Sequence, residues 1–157
     1  MRIVLDTNVL VSAFVSKEGQ PGKIVDLLLT FPEIRLILSK QILREFKEVM
    51  LREDVRGRFG YSAGDVDLFV KGLRAIASVV TVKSKLKIVR ADPEDGIVIN
   101  TAVDGKADFV VSGDSHLKKL KKFRGIRILN SKQMLEVIVS RFGEIMISSD
   151  DFRRTSA

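Results

Sequence analysis

The sequence predicts an α/β domain, a three-layer sandwich in which a mostly parallel sheet is covered by helices on both faces. Three observations predict it. Apolar runs too short for helices alternate with stretches of helical spacing. Two of those runs, Ile3-Val4-Leu5 and Phe109-Val110-Val111, have no polar member, as expected of strands buried on both sides. The chain has 157 residues. One domain of that size buries about 68–70% of its unfolded surface, so a core forms without metal or disulfide staples.

The elements follow in order. After the strand at residues 3–5, residues 8–15 and 22–30 carry apolar positions at helical spacing, divided by Glu18-Gly19-Gln20-Pro21-Gly22. A strand is expected at 34–38. Ser39 then caps a helix whose Ile42, Leu43, Phe46, Val49 and Met50 form one stripe, with Glu45, Glu48 and Glu53 on the same helix. A Gly-containing turn at 57–64 leads to a helix over 65–77. Short β-branched runs at 79–82 and 86–89 bracket a Lys-rich turn. Asp92-Pro93 opens a helix with Pro at its first position, and Gly105 ends it. The strand at 109–111, a short basic helix, a strand at 126–129 and a helix at 131–139 complete a domain over residues 1–140. Residues 141–157 are expected to be a loose tail, with a brief strand at 145–147.

Composition narrows the chemistry. There is no cysteine, hence no disulfide, no thiolate nucleophile and no Cys-ligated zinc. The single histidine, His116, excludes a His-rich metal site. Any catalysis must run on carboxylates, amides, hydroxyls and amines. The apolar start is interrupted by Asp6 and Asn8 and is shorter than the roughly 18 residues of a membrane span, so a soluble cytoplasmic protein is expected. Twenty-seven Lys and Arg against 20 Asp and Glu leave a net charge of +7, which points to an anionic partner such as nucleic acid.

Asp6 directly follows the first strand and Asp114 follows the later buried one. In open α/β sheets the carboxyl ends of the strands form the ligand crevice. Each acid also has a structural reading. Asp6 can be the N-cap of the next helix, Glu45 can form a salt bridge at the rim of its apolar stripe, and Asp92 with Asp95 can form a capping box. Asp95 shares a helix face with Val98 and Ala102, so it is expected to point inward. Four acids on four elements suit a hard cation such as Mg²⁺ or Mn²⁺, which takes oxygen ligands. Without one they would repel and raise one another's pKa values.

Leu5-Asp6-Thr7-Asn8-Val9-Leu10, the stretch Ser39 to Glu45, Asp92-Pro93-Glu94-Asp95 followed by Ala102, and Val111-Ser112-Gly113-Asp114 together resemble the PIN domain. They are similar to its branch of small prokaryotic toxins of toxin–antitoxin pairs, in order and from residue 1 to about 139. The resemblance implies a parallel sheet of about five strands between helices and a Mg²⁺- or Mn²⁺-dependent endonuclease acting mainly on RNA. Matched by position, the metal-binding and catalytic acids are Asp6, Glu45, Asp95 and Asp114, supported by Thr7, Asn8, Asp92, Ser112 and His116. His116 stands where the family often has a further Asp, which leaves the number of ions at one or two. The resemblance also implies a cognate antitoxin and a homodimer, for which exposed apolar residues on the early helices are the expected surface.

Lys118, Lys119, Lys121 and Lys122, with Arg124 and Arg127, follow Asp114 closely, and Lys83, Lys85, Lys87 and Arg90 precede Asp92. A solvated charged face accounts for many such runs. Their closeness to the acids favours phosphate contact with RNA or single-stranded DNA, held by charge rather than by sequence. Tyr61, Phe59, Phe123 and Phe152 are the aromatics expected to be free for base stacking. A receiver domain needs an acid pair after the first strand, and a haloacid-dehalogenase-type phosphatase needs Asp-x-Asp there. Asp6-Thr7-Asn8 supplies neither. The alternative of a different class is a catalytically idle nucleic-acid- or partner-binding module on the same fold.

Overall fold

The computed structural model describes residues 1–86 and 93–155, and the side chains of 1–86 and 96–143. In chain order the elements are β1 (Arg2–Leu5), α1 (Thr7–Val15), α2 (Gln20–Thr30), β2 (Arg35–Ser39), α3 (Lys40–Met50), α4 (Glu53–Phe59), α5 (Ala63–Ile76) and β3 (Ala77–Val80). They continue with α6 (Pro93–Asp104), β4 (Phe109–Val111), α7 (Ser115–Leu120), β5 (Lys122–Phe123), β6 (Ile126–Leu129) and α8 (Ser131–Thr155).

Among the described residues the sheet has six strands in the order β3-β2-β1-β4-β6-β5. All neighbours are parallel except β5 and β6. Consecutive residues of β1, β2 and β4 are buried, which requires cover on both faces and gives these strands their unbroken apolar character. From β1 the order runs outward through β2 and β3 on one side and through β4 and β6 on the other. The topological switch point therefore lies between β1 and β4.

Helix α6 packs against β1, β2 and β4 and is seated by its last turn. Gly105 N–H donates to the Thr101 carbonyl, and a Cβ at Gly105 would run into the Ile37 side chain. The Gly105 carbonyl in turn accepts two bonds from the Arg2 guanidinium, at 3.0 and 2.8 Å. At the start of α3, the Ser39 hydroxyl accepts from Ile42 N–H, as its capping role requires, and also from the Thr101 hydroxyl at 2.9 Å. Ser39 and Thr101 are both completely buried.

Several expectations are corrected. Glu53 does not belong to the helix begun at Ser39. That helix ends at Met50, and Glu53 opens α4, a short helix with Glu53 and Asp54 in its first turn and Arg56 and Arg58 in its last. These charges match the helix dipole, and Gly60 at φ +69° terminates it. The strand expected at 79–82 begins earlier, at Ala77. In the one expected at 86–89, Leu86 is not in a strand and 87–89 lie outside the described residues. The loose tail with a strand at 145–147 is instead a continuation of α8 to Thr155. Once nucleated, a helix extends readily, and an interior Gly such as Gly143 costs it only about 1 kcal/mol. The two-residue edge strand β5 was not expected.

Tyr61 is not free to stack. Its ring sits edge-on to Phe14 at 4.9 Å, in a cluster completed by Phe46 and Phe69, and its hydroxyl donates to the Met50 carbonyl at 2.6 Å. Burial, opposed by Arg56 and assisted by Asp54, raises its pKa above the ordinary 10.0. Phe59 is 48% exposed with the Arg58 guanidinium over its ring, and Phe123 is half-buried beside Arg124. The Phe152 side chain lies outside the described residues.

Candidate active site

The switch point gathers residues from three elements. Asp6 leaves β1 with its amide bonded to the Val111 carbonyl of β4, so it stands beside the end of that strand. It occupies the N-cap position of α1, yet its carboxylate makes no capping bond there. Instead the buried Ser112 hydroxyl donates to Asp6 Oδ2 at 2.7 Å. The same Ser112 oxygen accepts from Asp114 N–H at 3.0 Å. Capping therefore does not account for the Asp6 side chain, which is 8% exposed.

The next residue extends the arrangement to α3. Thr7, also buried, donates its hydroxyl to Glu45 Oε2 at 2.9 Å. Successive residues Asp6 and Thr7 thus link β4 on one side to α3 on the other. Hydroxyls at both points let carboxylates sit at the edge of an apolar core with a donor supplied to each.

Asp114 is organised differently. It caps α7, with Oδ1 accepting from His116 N–H at 2.7 Å and Leu117 N–H at 3.2 Å. His116 contributes its backbone to that cap, and the residue is exposed. Asn8 is exposed on the first turn of α1.

Asp95 lies on α6, whose Val98, Ile99 and Ala102 are buried, but its side chain lies outside the described residues, as does the whole of Asp92. Among the described residues no three acids or histidines converge closely enough to hold a metal ion by themselves. The structure thus brings Asp6, Thr7, Glu45, Ser112 and Asp114 into two adjoining hydrogen-bonded groups.

The two basic groups lie in different settings. Lys83 and Lys85 are exposed on the loop after β3, which is tied to α6 through Asp104. The Asp104 carboxylate accepts from the amides of Lys83 and Ser84, at 2.6 and 2.8 Å, and from the Ser84 hydroxyl. The Ser84 hydroxyl, its amide and the Lys83 amide hold the Asp104 pKa below its ordinary value. Leu86 N–H donates to Asn100 Oδ1, a further tether. Neither Asp104 nor Asn100 stood out in the sequence, because the loop they hold is distant along the chain. Lys118, Lys121 and Lys122 line one cavity beside β6, whereas Lys119 is exposed on α7 outside it. Lys87 and Arg90 lie outside the described residues.

Comparison with known proteins decides the family. Residues 2–116 match the PIN domain model. The chain belongs to the PIN domain family. The matched span includes β1, α3, α6, β4 and the start of α7, and so every acid discussed above. The protein is 28% identical over 121 residues to the uncharacterized protein MJ1680 of Methanocaldococcus jannaschii, covering 77% of this chain and 76% of that one. Its fold is similar to that in the crystal structure of VapBC2 from Rickettsia felis bound to a DNA fragment from their promoter. The TM-score is 0.56 at 16% identity, over 83% of this chain and 98% of that chain. For this PIN domain, no described helix is long and apolar enough to cross a membrane.

Proposed function

We propose that this PIN domain is a Mg²⁺- or Mn²⁺-dependent endoribonuclease and that Asp6, Glu45, Asp95 and Asp114 are its metal-binding acids. The observation that carries the reading is the adjoining pair of hydroxyl–carboxylate bonds, Ser112 to Asp6 and Thr7 to Glu45, at the switch point of the sheet. All the donors concerned are oxygens, the chemistry a hard divalent cation selects. The described acids do not form a three-ligand group alone, so the reading needs Asp95 as the further ligand. When bound, such a cation supplies a nucleophilic water at neutral pH and neutralises charge on the phosphoryl oxygens.

The chain's own residues orient and hold. Ser112 fixes one Asp6 oxygen and Thr7 fixes one Glu45 oxygen, so neither carboxylate must be ordered when substrate arrives. Asp114 spends Oδ1 on the α7 cap, which leaves Oδ2 as the oxygen assigned to the cation. Asn8, Asp92 and His116 are assigned supporting roles. The fold neighbour, solved as VapBC2, and the toxin-like motif spacing support a toxin role for this chain, with a cognate antitoxin as partner. A homodimer belongs to the same reading, with Leu29 on α2 and Val139 on α8, both more than half exposed, as its apolar contacts.

The test is cleavage of labelled RNA and single-stranded DNA with Mg²⁺ or Mn²⁺, with chelator, and with Asp6→Asn. RNA cut by the wild type in metal, and left whole with chelator or in Asp6→Asn, is the expected result. Intact RNA under every metal condition, together with tight and salt-sensitive binding, would instead identify an idle binding module.

A further inference from the structure

Beside β6 lies a cavity of about 540 Å³ whose polar lining is Lys118, Lys121, Lys122, Arg127, Asn130 and Gln133. The four cations come from α7, the turn after it, β5 and β6. Lys122 and Arg127 are register partners across the antiparallel β5–β6 pair, so their side chains share a face. Among the described residues none of the four is in an ion pair; the one such pair is Lys47 with Asp67. Among the described residues no acid lines the cavity.

The two amides complete an unusual set of donors. Asn130 and Gln133 form a reciprocal cap at the start of α8. Gln133 N–H donates to Asn130 Oδ1 at 2.8 Å, and Asn130 N–H donates to Gln133 Oε1 at 2.9 Å. Each side-chain oxygen thus already accepts one backbone N–H, and each amide has its NH₂ group left to offer. Every polar side chain of the lining thus presents donors. Such a surface, with four cations and two NH₂ groups, matches a ligand with several anionic oxygens.

Backbone geometry adds a further observation. Lys121 sits at φ +56°, a conformation that disfavours any residue with a Cβ, and its carbonyl is held by Ile128 N–H at 2.9 Å. Glycine would meet that geometry without strain, yet a lysine occupies it and contributes its ammonium to the cavity.

Position identifies the occupant. Leu129 pairs with Val111, and Ser112 N–H donates to the Leu129 carbonyl, so Asn130 stands one strand away from Ser112 at the same end of the sheet. Asp6 is one strand further, about 10 Å from the cavity's inner edge at the usual strand spacing. A polynucleotide whose scissile bond lies at Asp6 would pass its flanking backbone along β6. We propose that the cavity is a phosphate subsite, holding a backbone phosphodiester of RNA that flanks the cleavage position; it rests on the ribonuclease reading above.

The test measures binding of a labelled single-stranded oligoribonucleotide to the full chain by fluorescence anisotropy. Chelator is present so that nothing is cut, over about 50 to 200 mM potassium chloride. Two variants probe the site. Lys121→Gly with Lys122→Gln removes two cations. Asn130→Asp keeps a good N-cap and replaces a donor by a carboxylate. The remote pair Lys23→Gln with Lys71→Gln removes the same charge from exposed positions on α2 and α5.

The cavity pair should weaken binding about tenfold and lower the salt slope by about 0.7, the value for one phosphate contact on a single strand. Asn130→Asp should weaken binding at least about fivefold, while the remote pair leaves the slope unchanged. Cavity variants that match the wild type in affinity and slope would overturn the proposal. So would inorganic phosphate raising the wild type's Tm while the variants still bind RNA normally, which would mark a small-anion pocket. Because no cleavage is read, a failure of the nuclease reading shows separately, as intact RNA in the metal-containing assay.

Discussion

Asp6 and Asp114 both follow buried strands and both precede helices, yet they use their carboxylates differently. Asp114 caps α7 with Oδ1, while Asp6 stands at the N-cap of α1 and takes its bond from Ser112 instead. The difference follows from Ser112, whose buried hydroxyl donates to Asp6 and accepts from the Asp114 amide. Ser112→Ala removes one donor from the Asp6 carboxylate and the acceptor of the Asp114 amide. Urea denaturation should show a loss of about 1.5–3 kcal/mol, the usual worth of a hydrogen bond to a charged group. On the proposed reading, cleavage should fall as well, and Ser112→Thr should restore part of both. The position of Asp6 at a strand end was legible in the sequence, because a polar residue directly after a wholly apolar short run has few other reasons to be there. The hydroxyl partners of the acids were legible only as neighbours, since no spacing rule says that Thr7 reaches Glu45 rather than the helix backbone.

At the scale of elements, the loop after β3 depends on one side chain. Asp104 receives bonds from Ser84 and Lys83, and these hold its pKa below the ordinary value near 3.8. Asp65 is lowered in the same direction by the Ser62 amide and hydroxyl in the capping box of α5. A folded pKa below the unfolded one gives stability that is present above about pH 4 and is lost as pH falls through the folded value. Thermal unfolding followed from pH 5 downward should show the wild type's Tm falling more steeply than that of Asp104→Asn. A second element, the turn from α7 into β5, carries the strain at Lys121. Lys121→Gly should raise stability by up to about 1 kcal/mol in chemical denaturation, even as it removes a cation.

Apolar periodicity made α1, α2 and α3 legible, Pro93 and Gly105 marked α6, and unbroken apolar runs did the same for β1, β2 and β4. What was missed lacked either signal. The two residues of β5 are too few to carry a pattern, and α4 is a seven-residue helix with no buried residue. α8 outlasts its own apolar periodicity.

Over the whole molecule, the candidate acids and the inner edge of the basic cavity meet at one end of the sheet. Asp6, Ser112 and Asn130 stand at the ends of three adjacent strands, β1, β4 and β6. An acidic site near a donor-rich cavity suits a cation together with a polyanion. The cavity was only half legible. The lysine run was visible, but the role of Asn130 and Gln133 emerges only once both amide oxygens are seen to be engaged.

A cation that binds the folded site alone adds RT ln(1 + [L]/Kd), about 2.7 kcal/mol at a hundredfold excess over Kd. Mn²⁺ should therefore raise the Tm of the wild type, and Glu45→Gln should shrink the increment. The most direct test of the central claim is a manganese titration of the full chain followed by electron paramagnetic resonance. The account predicts that the wild type depletes the free-ion signal with one or two sites, and that Asp6→Asn, Glu45→Gln and Asp95→Asn each weaken that depletion. Depletion by all three variants equal to the wild type's, or none by the wild type, would contradict a shared cation at the switch point.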